Sequence, residues 1–266
     1  MLRDITLGQY FPGKTVVHRL DPRTKLVMTI VYIVALFLAE SWSSYALMAL
    51  LLIGMIGVSR INAGTILRGL KPIVVIIIIT AVLNVFFTRG EVIFELWIFK
   101  LTREGLITAA KMTLRLIMLI TGTFLLTYTT SPIALTDGIE ALLSPLKKIR
   151  FPAHELAMMM SIALRFVPIL IEETNKIMAA QASRGADFET GGIVKRAKAL
   201  LPILVPLFIS AFRRADELAE AMESRCYHGG EGRTRMKKLG MKARDFVTLA
   251  VGAAAVAAVV LVNFLP

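Results

Sequence analysis

Apolar residues run almost unbroken over 26–39, 45–58, 73–87, 105–128 and 246–265, while most of the charge falls between 131 and 245. Such runs predict membrane-spanning helices, and the charged stretch before the last of them predicts a substantial polar insert. Leu26–Ala39 is shorter than the ~20 residues a spanning helix needs, and Glu40-Ser41-Trp42-Ser43-Ser44 separates it from Tyr45–Val58. A tight helical hairpin with Trp42 and Tyr45 at the membrane interface accounts for this pattern. One long tilted helix would leave Glu40 in lipid. Ile73–Phe87 and Gly105–Tyr128 give the third and fourth spans, and Phe246–Leu265 the last.

Two boundaries carry explicit start signals. In Asp21-Pro22 the carboxylate can accept from free amides of a first turn, and proline at the first helical position sacrifices no donor. Ser131-Pro132 repeats that logic as the chain leaves the fourth span. Within the insert, Ile133–Leu143 reads as a short amphipathic helix stopped by Ser144-Pro145. Ala153–Ser183 and Val194–Arg225 read as two long helices separated by Gly185–Gly192, and Pro168, Pro202 and Pro206 should bend them.

Leu156–Ile171 and Ala199–Phe212 are apolar enough to resemble spans. If both crossed, Lys176, Arg184, Lys195, Arg196 and Lys198 would lie outside, against the basic bias that puts 19–25, 60–71 and 147–150 inside. The second run is also short and contains two prolines. Both helices are therefore expected at or beneath the cytoplasmic face, with apolar stripes against the bilayer or another membrane protein. The predicted fold is an all-α polytopic membrane protein with about five transmembrane helices and a helical cytoplasmic domain built on two long helices. Residues 1–23 form a cytoplasmic N-terminal segment, 24–130 the first four spans, 131–243 the cytoplasmic domain and 244–266 the final span.

Composition narrows the chemistry. The chain is 56% hydrophobic with a net charge of +12. Its basic residues border membrane segments, so nucleic acid is a poor candidate partner. A single cysteine, Cys226, excludes an intrachain disulfide. The N-terminus lacks the apolar core of a cleavable signal, so the first span is expected to stay in place. No phosphate-binding glycine loop appears, so the chain should not hydrolyse ATP itself. His18, His154 and His228 stand at no metal-ligand spacing, and no cofactor is expected. Glu172 and Glu173 point about 100° apart on a helix and cannot share a site. Arg213 and Arg214 are spaced to pair along their helix with Asp216, Glu217 and Glu220. The sequence assembles no catalytic centre.

Three features remain. Lys111 and Arg115 lie a turn apart inside the fourth span, fitting either headgroup snorkelling or a helix–helix contact. Met158, Met159, Ile162, Phe166 and Ile169 give a soft apolar stripe, fitting either core packing or an adaptable contact surface. The third feature is a matched pair of helix endings, Ala180-Gln181-Ala182-Ser183-Arg184-Gly185 and Ala221-Met222-Glu223-Ser224-Arg225-Cys226. One arginine before a breaker merely complements a helix dipole. Two matched endings on a membrane protein look like prongs for two similar soluble partners.

The order and spacing of several motifs resemble the transmembrane T component of energy-coupling factor (ECF) ABC-type transporters. These are Leu7–Gly13, His18-Arg19-Leu20-Asp21-Pro22-Arg23-Thr24-Lys25, Thr130-Ser131-Pro132, Leu164-Arg165-Phe166-Val167-Pro168 and the two arginine endings. The resemblance spans essentially the whole chain. It implies a bacterial or archaeal cell-membrane protein that binds two ABC-type ATPase subunits and a small substrate-binding membrane protein, the S component. Vitamins or transition-metal ions are the implied cargo. It further implies that two small-Arg-small motifs dock on the ATPases; in this chain these are Ser183-Arg184-Gly185 and Ser224-Arg225-Cys226, where Ser twice stands for Ala and Cys once for Gly. The Met158–Ile169 stripe is expected to touch the S component as well as lipid. The competing readings are an ordinary ABC permease that binds substrate within its own spans, which needs a polar pocket, and a membrane enzyme, which needs converging catalytic groups.

Overall fold

The computed structural model describes residues 10–96, 99–149, 151–186, 188, 192–229 and 239–264. Leu7, Gly8 and Gln9 of the N-terminal motif lie outside the described residues, as do Asp187 and Glu189–Gly191 of the linker between the long helices. The described residues form two compact units, one from 10–139 with 239–264, the other from 140–229.

The first unit opens with helix α1 (Pro22–Leu38) and α2 (Trp42–Ser59). Asp21 caps α1 by accepting from the Arg23 amide at 3.0 Å, and Ser41 caps α2 by accepting from the Ser44 amide at 3.2 Å. The hairpin break therefore falls where polar residues could satisfy both helix ends. Helix α3 (Ala63–Leu70) runs through a 3₁₀ turn (Lys71–Ile73) into α4 (Val74–Phe87), so the third span begins earlier than its apolar run. A two-stranded antiparallel hairpin follows, β1 (Val92–Leu96) with β2 (Phe99–Thr102). It is the one departure from an all-helical fold among the described residues. Thr102 ends the hairpin by donating to the Thr88 carbonyl at 2.9 Å and accepting from the Gly105 amide, starting α5 (Arg103–Thr129). Ser131 and Pro132 then open α6 (Pro132–Leu143), with the Ala134 amide on the Ser131 hydroxyl at 3.3 Å.

The final helix, α9 (Ala243–Phe264), packs against α1 and α2, and α5 packs against α1, α2 and α4. Ala35, Leu36, Ala39, Tyr45, Met48, Leu52, Met118 and Val259 form the buried core where these helices meet. Small residues allow the closest approaches, as expected where lipid cannot drive association by itself. A Cβ on Gly122 would lie 2.5 Å from the Tyr32 ring, and one on Gly252 would lie 2.5 Å from Met28 Sδ. Tyr45 is buried in this core. Trp42 is exposed. The difference arises because α2 turns Tyr45 inward, beneath the Arg115 guanidinium, which lies 5.6 Å from its ring.

The second unit is dominated by α7 (Ala153–Ser183) and α8 (Ile193–Glu223), each 31 residues long and packed on the other. A six-residue 3₁₀ segment (Ser144–Ile149) precedes α7. Pro168, Pro202 and Pro206 lie inside continuous helices. Arg214 reaches Glu173 on α7 at 3.5 Å, rather than an acidic neighbour on its own helix.

Five of the described helices are long and apolar enough to cross a membrane: 42–59, 63–87, 103–129, 153–183 and 243–263. This makes the chain a polytopic membrane protein of the predicted class. The set differs from the expected one in two members. It includes α7, and it omits α1, whose 17 residues make it the shortest of the helices in the α1–α2–α5–α9 core.

Candidate functional site

The two arginine endings are built alike. At the end of α7 the Gly185 amide donates to the Ala182 carbonyl at 2.9 Å, and the Ala186 amide donates to the Gln181 carbonyl at 3.0 Å. At the end of α8 the Cys226 amide donates to Glu223 at 2.8 Å, and the Tyr227 amide donates to Met222 at 3.0 Å. Both are the nested pair of bonds that closes a helix through one left-handed residue. Gly185 takes that conformation at φ 87°, and Cys226 takes it at φ 56°. The arginine stands immediately before it each time. Ser183 and Ser224 donate their hydroxyls to the carbonyls four residues back, Ala179 at 3.1 Å and Glu220 at 2.7 Å. Each serine is thereby turned onto its own helix, leaving little bulk beside the arginine.

Arg184 and Arg225 are exposed, and neither guanidinium is bonded or ion-paired to any described residue. Each presents a planar five-donor fork at a helix tip. A comparison within the chain sharpens the point. Arg60 also ends a helix and has φ 56°, but there the arginine itself is the left-handed residue, and the next amide turns to the Ser59 hydroxyl. Met222 and Tyr227, both half-buried, stand at the positions that such an ending brings together as an apolar pair. The sequence reading passed over that pair. An aromatic residue directly after the left-handed position was its signal.

The predicted soft stripe is unevenly presented. Met159 is exposed on α7, whereas Met158, Ile162, Phe166 and Ile169 are half-buried. The larger exposed apolar face belongs to α8, where Leu201, Val205, Phe208 and Phe212 follow one another at helical spacing. Among the spans, a cavity of about 120 Å³ lies between α1, α2, α5 and α9. Its walls are mostly aliphatic or methionine, with Thr29, Tyr32, Thr129, Thr248 and Lys25 as the exceptions that carry polar groups. Lys25 is already engaged by the Thr129 carbonyl at 2.8 Å, so the cavity offers little to a polar solute.

Lys111 and Arg115 make helix–helix contacts. Lys111 Nζ donates to the Glu40 carbonyl at 2.6 Å, and Arg115 donates to the Ala39 carbonyl at 2.9 Å. His154 pairs with Glu140 at 3.0 Å. His18 holds the Phe11 carbonyl through Nε2 and the Thr15 hydroxyl through Nδ1. Burial lowers its pKa from the ordinary value, and the Lys25 charge lowers it further, against the opposing bond to Phe11.

Residues 13–236 match the family described as cobalt transport protein, CbiQ. The chain belongs to that family. It is 56% identical over 259 residues to the energy-coupling factor transporter transmembrane protein EcfT of Thermosediminibacter oceani, covering 97% of this chain and 98% of the relative. The protein of that name in Clostridium kluyveri is 57% identical over 249 residues, 93% of this chain and 92% of its own. In Bacillus subtilis the corresponding figures are 49% over 246 residues, 92% and 93%. The suggested resemblance to ECF transmembrane components is thus established across nearly the whole chain. Both arginine endings of this CbiQ-family member fall inside the matched region.

Proposed function

We propose that this CbiQ-family protein is the coupling scaffold of an ECF transporter. Arg184 and Arg225 each dock on one of two ABC-type ATPase subunits, and the insert that carries them passes ATPase motion to a separate substrate-binding membrane protein. Vitamins or transition-metal ions are the cargo class, and hydrolysis belongs to the partners. The observation that carries this reading is the duplicated ending: the same left-handed closure, the same serine turned back on its helix, and a guanidinium with no partner among the described residues. Two matched tips suit two copies, or two close relatives, of one partner.

The insert is placed in the cytoplasm, with α1 crossing the membrane and α7 not. Support comes from the basic residues that flank α7 and α8, and from the packing of α1 with α5 and α9. Met159 and the apolar face of α8 supply surface for the S component and for lipid. An ordinary permease is disfavoured because the cavity among the spans is apolar.

The test is purification of the tagged chain from its native membrane in mild detergent. It should bring down two ATPase chains and at least one small, very hydrophobic protein. Recovery of a lone chain that binds cargo tightly by itself would favour the permease instead.

A further inference from the structure

A knot of buried polar groups sits where α1, α5 and α9 begin or end, and the coupling role of the arginine tips does not use it. Asp245 is 1% exposed, and Asp21 and Lys25 are 7% exposed each. The Asp245 carboxylate accepts the Asp21 amide on Oδ1 and the Lys242 amide on Oδ2, both at 2.8 Å. The Lys25 ammonium donates to the Thr129 carbonyl at 2.8 Å, and to the His18 carbonyl and the Thr130 hydroxyl at 3.2 Å each. Its three donors are all engaged. Nearby, the Phe11 amide donates to the Tyr128 carbonyl at 3.0 Å.

The location gives these bonds a meaning beyond helix capping. The chain leaves the fourth span at Thr129–Ser131 and enters the last at Lys242–Asp245. Those two points are the roots of the insert. Lys25 holds the outgoing root and Asp245 holds the returning one, and both are fastened to the first turn of a single helix, α1. Removing two ions from water is costly, and a well-packed apolar contact would often be at least as stable. Charged bonds fix direction as well as distance, which suits a point through which force passes.

Resting on the coupling reading above, we propose that Asp21, Lys25 and Asp245 form a rigid mount for both roots of the insert. Displacement imposed on the tips by the ATPases is then delivered to the membrane helices instead of being absorbed at the roots. These are positioning residues; they need touch neither ATPase nor cargo.

The test uses the whole complex in nanodiscs, with spin labels carried by p-acetylphenylalanine in place of Asn175 on α7 and Val251 on α9, so that Cys226 keeps its native thiol. The distance between labels is measured with ADP and with a non-hydrolysable ATP analogue. The unaltered mount should give a sharp distribution that shifts with nucleotide. Asp245→Asn offers only one acceptor oxygen and faces the second amide with an NH₂ group. It should retain the ATPases and their hydrolysis, broaden the distribution and lose the shift. Thr130→Val is the milder variant, removing one acceptor of Lys25 at nearly constant volume, and should lose part of the shift; it decides the matter if Asp245→Asn does not insert. A shift equal to that of the unaltered complex in a variant that assembles overturns the mount alone. An unaltered chain that binds no ATPase overturns the coupling reading and the mount with it. Bound ATPases without a nucleotide-driven shift in the unaltered complex also defeat the mount.

Discussion

Arg184 and Arg225 share one local architecture, and among the described residues neither guanidinium has a bonding partner. Arg115 is spent on the Ala39 carbonyl and two aromatic rings, and Arg214 on Glu173. The left-handed residue after each tip arginine also sets a testable difference between the two tips. A non-glycine residue in that conformation costs about 1 kcal/mol. Cys226→Gly should therefore stabilise the second ending, seen as slower hydrogen exchange of the Tyr227 amide, while Gly185→Ala should accelerate exchange of the Ala186 amide. No change in either would mean that the endings are held by something other than these bonds. His18 gives a pH-dependent prediction. Its folded pKa lies below the ordinary 6.5, so its stabilising contribution is full above 6.5 and is lost as pH falls from there toward the folded value. Protection of the Phe11 amide should fall as pH drops below 6.5, and His18→Gln should abolish that dependence.

At the scale of elements, local signals were legible and distant partnerships were not. Asp21-Pro22, Ser131-Pro132 and Gly185 each declare a boundary through backbone chemistry within a few residues, and the helices begin or end there. The strands at 92–102 were missed because five and four residues beside a span give too little alternation to stand out. The burial of Tyr45 was not legible because an aromatic residue beside Trp42 at a span end gives no sign of the cation that another helix sets above it. The bond from Asp21 to Asp245 joins residues 224 positions apart, which no local pattern can announce. At the opposite end of the same helices, Arg115, Lys111 and Asn263 wrap the α1–α2 turn. Asn263 Oδ1 accepts from the Ser44 hydroxyl at 2.8 Å, and its amide donates to the Leu38 carbonyl at 2.5 Å. Arg115→Ala should lower stability in detergent unfolding by about 1.5–3 kcal/mol, the usual worth of a charged hydrogen bond, with Arg115→Lys intermediate. A loss under about 0.5 kcal/mol would instead indicate a side chain that merely snorkels.

For the whole molecule, the candidate site was readable as residues but not as geometry. The sequence placed the two arginines at helix ends; the matched closures and the serines turned back on their helices emerged only from the structure. Topology follows the same division. Length and apolarity alone select α7 as a span, whereas charge bias argues against it. The single native cysteine can report on this. Cys226 is exposed at the second tip, so a membrane-impermeant maleimide should not label it in intact right-side-out cells, but should label it in inverted vesicles stripped of peripheral proteins. Labelling in intact cells would reverse the orientation.

The central claim is that each arginine tip is an ATPase contact, and the most direct measurement is the affinity of purified ATPase for the membrane-inserted chain. Removing one member of a buried hydrogen-bonded charge pair costs about 2–5 kcal/mol, whereas an arginine serving only its own helix dipole contributes about 0.3–1 kcal/mol to that helix. Titrating ATPase onto the wild-type chain, Arg184→Ala, Arg225→Ala and the double variant should give roughly 30-fold or greater weakening for each single change. Lysine at either position should restore it only in part, because the charge returns without the fork. The double variant should still insert while retaining no measurable ATPase. Wild-type affinity in an inserted double-alanine variant would contradict the account.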